Sequence, residues 1–313
     1  MKIVIAGGTG FLGRPLADTL AADGHEIVIL TRTPGPDPGP RTRRVPWTPD
    51  GSTGAFAREI DGAGAVVNLA GESIAGTRWS AAQKRKILDS RVNATRSLTE
   101  AINGAAHPPA VFISASAVGY YGPRGDEIVT EDTPPGSDFL AKVCVQWEAE
   151  AHHARSPRTR VTCVRTGLVI EKDGGALPPM LMPFKLFAGG PVGSGRQYWP
   201  WIHRDDWVGL VRWAIGQAAA AGPLNATAPT PVTNAEFARA LGRALRRPAF
   251  TPAPAPVLRL LLGEMADALV LSGQRAIPAK ARQQGYAFRY ERVDDALRAI
   301  FAGPRAGSAA SNR

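Results

Sequence analysis

Short apolar runs alternate with stretches in which apolar residues recur every three or four positions along this 313-residue chain. The first run starts at residue 2 and ends in a glycine cluster. Leu12, Leu16 and Leu20 then follow at the spacing of one helix face, and Gly24 comes where a C-terminal cap would lie. This pattern predicts a strand, a tight turn and a helix at the start of the chain.

The same alternation continues along the chain, with Ser80 and the pair Thr233 and Glu236 placed as helix N-terminal caps. Strands are predicted at residues 25–31, 44–47, 65–71, 110–116 and 160–167. Helices are predicted at residues 55–60, 80–103, 233–245, 257–271 and 293–301, and a further short helix is predicted to end at residue 284. The nearly continuous apolar strands are typical of parallel strands buried on both faces. We therefore predict an α/β fold, a Rossmann-type doubly wound parallel sheet with a smaller mixed α/β C-terminal substrate region.

Changes in composition suggest how the chain divides. Residues 1–168 are predicted to form the dinucleotide-binding domain, with parts of about 203–228 completing its sheet. Residues 169–202 and 229–249 would form the substrate pocket, residues 250–302 a small C-terminal domain, and residues 303–313 a disordered tail. Residues 34–40 alternate Pro with Gly or Asp and are predicted to be a loop.

The charge is +10, from 37 Lys and Arg against 27 Asp and Glu, and the basic residues are scattered rather than arranged in a stripe with aromatics. We therefore expect no nucleic-acid partner. The chain has two cysteines, and no apolar run is long enough to span a bilayer, so we expect a cytoplasmic protein that does not enter a membrane. The His residues lack the spacing of metal ligands, and no metal is expected. The expected oligomeric state is a monomer or homodimer.

The glycine cluster has the chemistry of a phosphate site. Gly7, Gly10 and Gly13 suit a tight turn, close approach of a diphosphate, and packing of the helix on the strand. Free N–H groups at the helix start would then face the anion. The predicted cofactor contacts in this turn are Gly7, Thr9, Gly10, Phe11, Leu12 and Gly13.

The end of the second strand indicates which dinucleotide binds. An NAD-preferring site places Asp or Glu there, whereas this chain has Thr31 and Arg32. A guanidinium attracts the additional phosphate of NADP, which a carboxylate would repel. The sequence therefore predicts NADP(H), preferred over NAD(H), with Thr31 and Arg32 as contacts.

Further candidates stand at the carboxyl ends of later strands, where ligands dock in open α/β sheets. Leu69, Ala70 and Gly71 end one strand with small side chains that would admit a cofactor. Arg165 ends another, and a buried charge there needs a phosphate or a carboxylate, so we expect it to contact the cofactor or the substrate rather than to form a structural ion pair. Arg91, on the long helix, is a weaker candidate for a cofactor phosphate.

Several motifs together resemble the extended short-chain dehydrogenases/reductases of the NAD-dependent epimerase/dehydratase type. They are the N-terminal glycines, Asn68–Gly71, Ser114–Gly122 and Lys142. Trp147-Glu148, Arg165–Gly167, Gly189–Tyr198, Trp201–His203 and Gly273–Pro278 are similar to the YfcH-like branch, which ends in a small C-terminal domain of unknown function. The resemblance covers nearly the whole chain.

The resemblance implies a catalytic serine, a tyrosine and a lysine four residues after that tyrosine. Ser116 and Lys142 match, with Ser114 and Lys142 also expected at the cofactor, but Asp138 occupies the tyrosine position. Tyr120, or else Tyr121, would supply the phenol. Asp138 is expected to cap the helix that begins at Phe139, and a proton-transfer role for it is the weaker alternative.

The resemblance also places residues 189–203 over the substrate, with Arg196, Tyr198 and Trp201 as weaker candidates for contact with a sugar-like or anionic molecule. The predicted function is an NADP(H)-dependent epimerase/dehydratase- or reductase-type oxidoreductase acting on an unidentified small substrate. The alternative is a non-catalytic NADP-binding regulatory protein, with a link to cell division as its candidate role.

Overall fold

Seven strands hydrogen-bond side by side in one sheet, and every neighbouring pair in it is parallel. The computed structural model describes residues 1–33 and 35–302. Its strands are β1 (Lys2–Ala6), β2 (Glu26–Thr31), β3 (Thr42–Pro46), β4 (Ala65–Asn68), β5 (Val111–Ala117), β6 (Ile128–Val129), β7 (Arg160–Thr166), β8 (Leu168–Glu171), β9 (Gly174–Gly175), β10 (Tyr198–Trp199), β11 (Trp201–His203), β12 (Gly222–Ala226), β13 (Val232–Thr233) and β14 (Arg275–Ala276).

The helices flank this sheet and build the C-terminal part. They are α1 (Gly13–Ala22), α2 (Ala57–Ile60), α3 (Ala81–Asn103), α4 (Phe139–His152), α5 (Leu177–Lys185), α6 (Arg204–Gly216), α7 (Asn234–Leu245), α8 (Ala255–Leu262), α9 (Ala279–Gln283) and α10 (Val293–Phe301), with a 3₁₀ turn at Val118–Tyr121 and a π-helical turn at Ala266–Val270. Three predicted N-terminal caps are confirmed, because Ser80, Asp138 and Thr233 each accept a backbone N–H of the helix that follows.

The strand order is β12-β7-β5-β4-β1-β2-β3, so the chain runs outward from β1 on one side and then resumes at β4 on the other. This reversal leaves a crevice beyond the carboxyl ends of β1 and β4, where ligands bind in open α/β sheets. The register pairs Ala6 with Asn68, which places the two loops that follow these strands next to each other.

Both faces of the sheet are buried. In β1, Ile3 and Ile5 join the apolar cluster that includes α1 and α6, whereas Val4 and Ala6 join the cluster beneath α3. Strands covered on both sides need apolar residues at successive positions, which explains the continuous runs in the sequence. The predicted doubly wound α/β fold is confirmed.

A third apolar cluster joins the predicted substrate-pocket region to the C-terminal residues. It packs Trp201 and Phe237 together with Leu297 and Ile300 of α10. β14 also pairs with β6, far away in the chain. Residues 250–302 therefore share a core with earlier segments, and their boundary as a separate unit stays a prediction.

The single helix predicted at 257–271 is wrong. The helix α8 ends at Leu262, and the next residue, Gly263, has a φ of 61°, in the left-handed region. The π-helical turn then follows. The predicted tail, residues 303–313, and Pro34 of the predicted loop lie outside the described residues. Within residues 1–33 and 35–302, no helix combines the length and the apolar composition needed to cross a membrane.

Candidate functional site

Two cavities meet at the crevice between β1 and β4. The larger has a volume of about 550 Å³ and the other about 500 Å³. Both are lined by Gly7, Gly10, Leu69, Gly71 and Glu72, so the two cavities adjoin at the glycine turn. We call them the inner cavity, which extends to Ser116, and the outer cavity, which extends to Arg32.

The glycine turn is shaped for close approach. Gly7 has a φ of 78°, and a Cβ on it would lie 2.8 Å from the Leu69 carbonyl carbon. A Cβ on Gly13 would lie 2.2 Å from the Gly7 carbonyl oxygen, so neither position accepts a side chain without movement. The start of α1 carries no capping side chain and no acidic residue. Arg14 N–H already donates to the Gly10 carbonyl at 3.0 Å and Pro15 has no N–H, so among the first three helical residues the N–H of Gly13 is the donor left for an anion.

The loop after β4 is held by the strand's last residue. The buried Asn68 donates from Nδ2 to the Thr95 hydroxyl at 2.9 Å and accepts the Ala70 N–H at 3.1 Å. These bonds fix Leu69, Ala70 and Gly71 against the glycine turn. All three line the outer cavity, and Leu69 and Gly71 also line the inner one.

The outer cavity contains two guanidinium groups. Arg32 is exposed in its wall, beside Thr31 and Thr9, and the contact of these residues with a cofactor stays a prediction. Arg44 of β3 lines it too, and its Nε is buried without a hydrogen-bond partner among the described residues. A buried donor without a partner costs about 1–3 kcal/mol, so this cation suits an anionic ligand. Arg44 was not predicted as a site residue, although the basic run at residues 41–44 could have indicated an anion site in this segment.

Ser116 lines the inner cavity and is 3% exposed. Its hydroxyl donates to Glu148 Oε1 at 2.6 Å, and Glu148 also accepts from Arg165 Nε at 2.8 Å and Nη2 at 2.9 Å. Both side chains of this ion pair are buried. Desolvation alone would lower the pKa of Arg165, but the hydrogen bonds and charge of Glu148 outweigh it and raise this pKa above its ordinary value.

This ion pair corrects the expectation for Arg165. The sequence predicts cofactor or substrate contact, but the guanidinium is enclosed by Glu148, the Tyr121 hydroxyl at 3.0 Å and the Glu131 carbonyl at 3.1 Å. Arg165 does not line either cavity. Its charge therefore supports the wall behind Ser116 instead of meeting a ligand.

The expected tyrosine and lysine lie away from the inner cavity. Tyr120 covers the Arg165 guanidinium, with its ring centroid 3.5 Å from Cζ, and Tyr121 is fully buried and donates to Asn225 Oδ1 at 2.6 Å. Burial raises the pKa of Tyr121 to about 12. Lys142 lies on the exposed face of α4.

The face of α4 that lines the cavity carries Leu140, Val143, Cys144 and Trp147. These positions follow the spacing of one helix side, and Lys142 falls on the opposite side. Ser114 is completely buried in β5 and lines neither cavity. Of the expected catalytic residues, Ser116 alone is brought to the cavity.

Arg91 lies in the wall of the inner cavity, where it packs against Gly71. Its Nη1 donates to the backbone carbonyls of Glu72 and Ile87 at 3.0 Å, and its Cζ lies 5.1 Å from the centroid of the Trp147 ring. Burial lowers the pKa of this guanidinium. Its contact with a cofactor phosphate stays a prediction.

The far end of the inner cavity is formed by β10 and the C-terminal segment. Tyr198 and Trp199 line it, together with Leu269 and Gln274. Gly273 is required here, since a Cβ on it would lie 1.9 Å from the Tyr198 carbonyl oxygen. No residue of this C-terminal segment was predicted from the sequence to line the substrate site.

Two predicted substrate residues lie elsewhere. Arg196 is exposed and Trp201 is fully buried, with its indole N–H donated to the Thr230 carbonyl at 3.2 Å. In the described part of the chain, no three His, Cys, Asp or Glu side chains group together as metal ligands.

Comparisons with known proteins agree with this geometry. The model of the NAD dependent epimerase/dehydratase family matches residues 3–226, and that of a domain of unknown function, DUF1731, matches residues 253–300. An Arabidopsis thaliana protein, "Epimerase family protein SDR39U1 homolog, chloroplastic", is 42% identical over 308 residues, covering 96% of this chain and 86% of that protein.

Two solved structures are also similar. Human epimerase family protein SDR39U1 (isoform 2) with NADPH matches with a TM-score of 0.89 and 36% identity, over 97% of this chain and 100% of that chain. A nucleoside-diphosphate sugar epimerase from Corynebacterium glutamicum matches with a TM-score of 0.77 and 34% identity, over 96% of this chain and 58% of that chain.

Proposed function

The chain belongs to the NAD dependent epimerase/dehydratase family, as its motifs predicted, and on this premise we propose that it is an NADP(H)-dependent oxidoreductase for a small substrate. One observation carries the proposal: two cavities share the glycine turn, and one of them is lined by Arg32 and Arg44 while the other is lined by Ser116. The two cysteines are free and buried, which suits a reducing compartment such as the cytoplasm.

The residues present fit the cofactor at three points. Gly7, Gly13 and the start of α1 would take the diphosphate, since the turn excludes side chains and offers N–H groups. Arg32 and Arg44 would hold the 2′-phosphate, which would give the buried Nε of Arg44 an acceptor. When bound, the cofactor supplies or accepts a hydride at its nicotinamide ring.

Ser116 would position the reacting oxygen of the substrate. While its proton is donated to Glu148, the lone pairs of Oγ are available to accept from a substrate hydroxyl. Rotation of the hydroxyl would allow it to donate to a substrate carbonyl oxygen instead. Glu148 then keeps Arg165 as its partner, so the wall stays neutral overall in either orientation.

The cofactor assignment is tested by comparing NADPH and NADH in fluorescence titrations. Hydrogen bonds to charged groups contribute about 1.5–3 kcal/mol, so Arg44→Ala should raise the Kd for NADPH at least about tenfold. The Kd for NADH should change less than about twofold. Arg41→Ala is the matched control, because Arg41 is exposed, precedes β3 and does not line the outer cavity. Equal losses for both dinucleotides would contradict a phosphate clamp.

One observation favours a non-catalytic, NADP-binding regulatory protein as a second candidate. The cavity face of α4 presents Leu140 and Cys144 four residues apart, without the tyrosine and lysine that the family resemblance implies. Turnover separates the two functions. If the chain is an enzyme, at least one member of a panel of sugars, ketones and aldehydes should cause NADPH absorbance to change. For that substrate, Ser116→Ala should lower kcat about 100-fold or more and leave the Kd for NADPH nearly unchanged. No turnover across the panel, with NADPH still bound, would favour the regulatory function.

A further inference from the structure

The wall of the inner cavity has two parts of different character. One part is the glycine turn with the loop after β4. The other, which we call the substrate wall, comes from α4, β10 and the C-terminal segment 268–274. Its main side chains are apolar or aromatic, and they are Leu140, Val143, Tyr198, Trp199 and Leu269.

Charged groups are confined to the first part. The charged residues in the described lining of the inner cavity are Glu72 and Arg91. Glu72 belongs to the loop after β4 and also lines the outer cavity, and Arg91 packs against Gly71 in the same loop. The substrate wall therefore presents no charged side chain among the described residues.

The cations near this wall do not line it. Arg275 stacks on the Tyr198 ring, 5.1 Å from Cζ to the centroid, and lies behind the wall, where its buried Nε has no hydrogen-bond partner among the described residues. Lys84 pairs with Glu264, and Arg196 is exposed away from the wall. A diphosphate brought against this wall would lose water without meeting a cation, which is strongly unfavourable.

Several neutral hydrogen-bonding groups remain in the wall, among them the Tyr198 phenol, the Gln274 amide and the indole N–H groups of Trp147 and Trp199. Trp199 is 8% exposed, and its indole N–H has no partner among the described residues. Gln274 is 9% exposed, and its amide can both donate and accept. An uncharged oxygen is the ligand atom that such groups recognise without the cost of burying an ion.

We propose that the substrate bound here is a small uncharged carbonyl compound, or the corresponding alcohol, with a mainly apolar body, and not a nucleotide sugar. This inference rests on the proposed function, because Ser116 and the cofactor define where the reacting oxygen lies. The apolar body lies against the substrate wall, and Trp199 and Gln274 select a neutral oxygen on it. Likeness in fold to enzymes of nucleotide sugars does not transfer their substrate.

The test is a binding measurement on the full chain saturated with NADP⁺, in which carbonyl probes cannot be reduced. Titration with NADP⁺ comes first, and the absence of saturable binding would refute the proposed function itself. Benzaldehyde and cyclohexanone are then compared with UDP-glucose and UDP-glucuronic acid by calorimetry. We expect the neutral carbonyls to bind at least about tenfold more tightly than the UDP-sugars. Tighter or equal binding of the UDP-sugars, or no binding of either neutral probe while NADP⁺ binds, would overturn the substrate class alone.

A pair of variants tests the wall directly. Leu269→Lys places a cation in the substrate wall and should weaken benzaldehyde binding at least about tenfold, with the Kd for NADP⁺ unchanged. Leu261→Lys is the matched control, because Leu261 is 66% exposed on α8. Retained NADP⁺ binding shows that each variant is folded. Equal effects of the two substitutions on benzaldehyde would overturn the assignment of the wall.

Discussion

Replacement of Glu148 by Gln should strongly destabilise the fold. The substitution keeps the shape of the side chain but removes the charge that Arg165 contacts through two hydrogen bonds of 2.8 and 2.9 Å. The side chains of Arg165 and Glu148 are only 4% and 7% exposed, so water cannot replace the lost partner. Breaking a buried pair from one side costs about 3–5 kcal/mol, and we expect a loss of that size in the free energy of unfolding.

The same helix provides a matched control. Glu150, two residues further along α4, pairs with Arg96 at 3.0 Å; the Glu150 side chain is only 10% exposed, but that of Arg96 is 45% exposed, so the pair is open to solvent on the arginine side. Ion pairs open to solvent contribute about 1 kcal/mol or less. Glu150→Gln should therefore cost far less than Glu148→Gln, although both remove one carboxylate from α4.

Equilibrium unfolding in urea, followed by far-ultraviolet circular dichroism, measures both variants against the unmodified protein. The expected gap between them is about 2–4 kcal/mol, the difference between the buried and the exposed pair. Raising the salt concentration should reduce the cost of Glu150→Gln but not that of Glu148→Gln, because buried pairs are little screened. If the two variants lose similar stability, Arg165 is not held as described, and its use by a ligand must be reconsidered.

Two further predictions concern the turn and the buried phenol. Gly13→Ala should raise the Kd for NADPH at least about tenfold, since the new Cβ would lie 2.2 Å from the Gly7 carbonyl oxygen and force the turn to shift; an unchanged titration would contradict this. Burial raises the pKa of folded Tyr121 from 10.0 to about 12, so the unfolded chain releases this proton first and stability should fall as the pH rises from 10 towards 12. Unfolding free energies at pH 9 and 11 should therefore differ less for Tyr121→Phe than for the unmodified protein, and an equal difference would show that the phenol keeps an ordinary pKa.

The fold was predictable because its signals are local. Caps such as Ser80, Asp138 and Thr233 act on a backbone N–H within three residues, and the alternation in β1 reports burial on two faces. The helix predicted at 257–271 failed for a different reason. Apolar periodicity continued past Gly263, but only the folded chain gives that glycine a left-handed backbone that ends α8.

The outer half of the site was also largely accessible to sequence reasoning. The carboxyl ends of parallel strands meet at one edge, so the residues after β1, β2 and β4 had to be neighbours. Arg44 could not be placed in the same way. It lies inside β3, and its position beside the cavity depends on the β2–β3 register, which pairs it with Ile29.

The inner half depended on how α4 is rotated about its axis. Lys142 and Cys144 are two residues apart, and packing alone decides that Cys144 faces the cavity while Lys142 faces solvent. Sequence spacing shows which residues share a helix face but not which face is turned inward. The family resemblance implied an orientation with Lys142 inward, and the structure has the other.

Arg165 shows both the strength and the limit of the argument from burial. The sequence indicated that a cation at the end of a buried strand needs an anion, and the structure supplies one in Glu148, so the requirement was right and the partner was not. The same requirement applies to Arg44, whose buried Nε has no acceptor among the described residues. The folded chain gives Arg165 a carboxylate partner but gives the Nε of Arg44 no acceptor among the described residues. We therefore expect a bound phosphate to accept a hydrogen bond from Arg44.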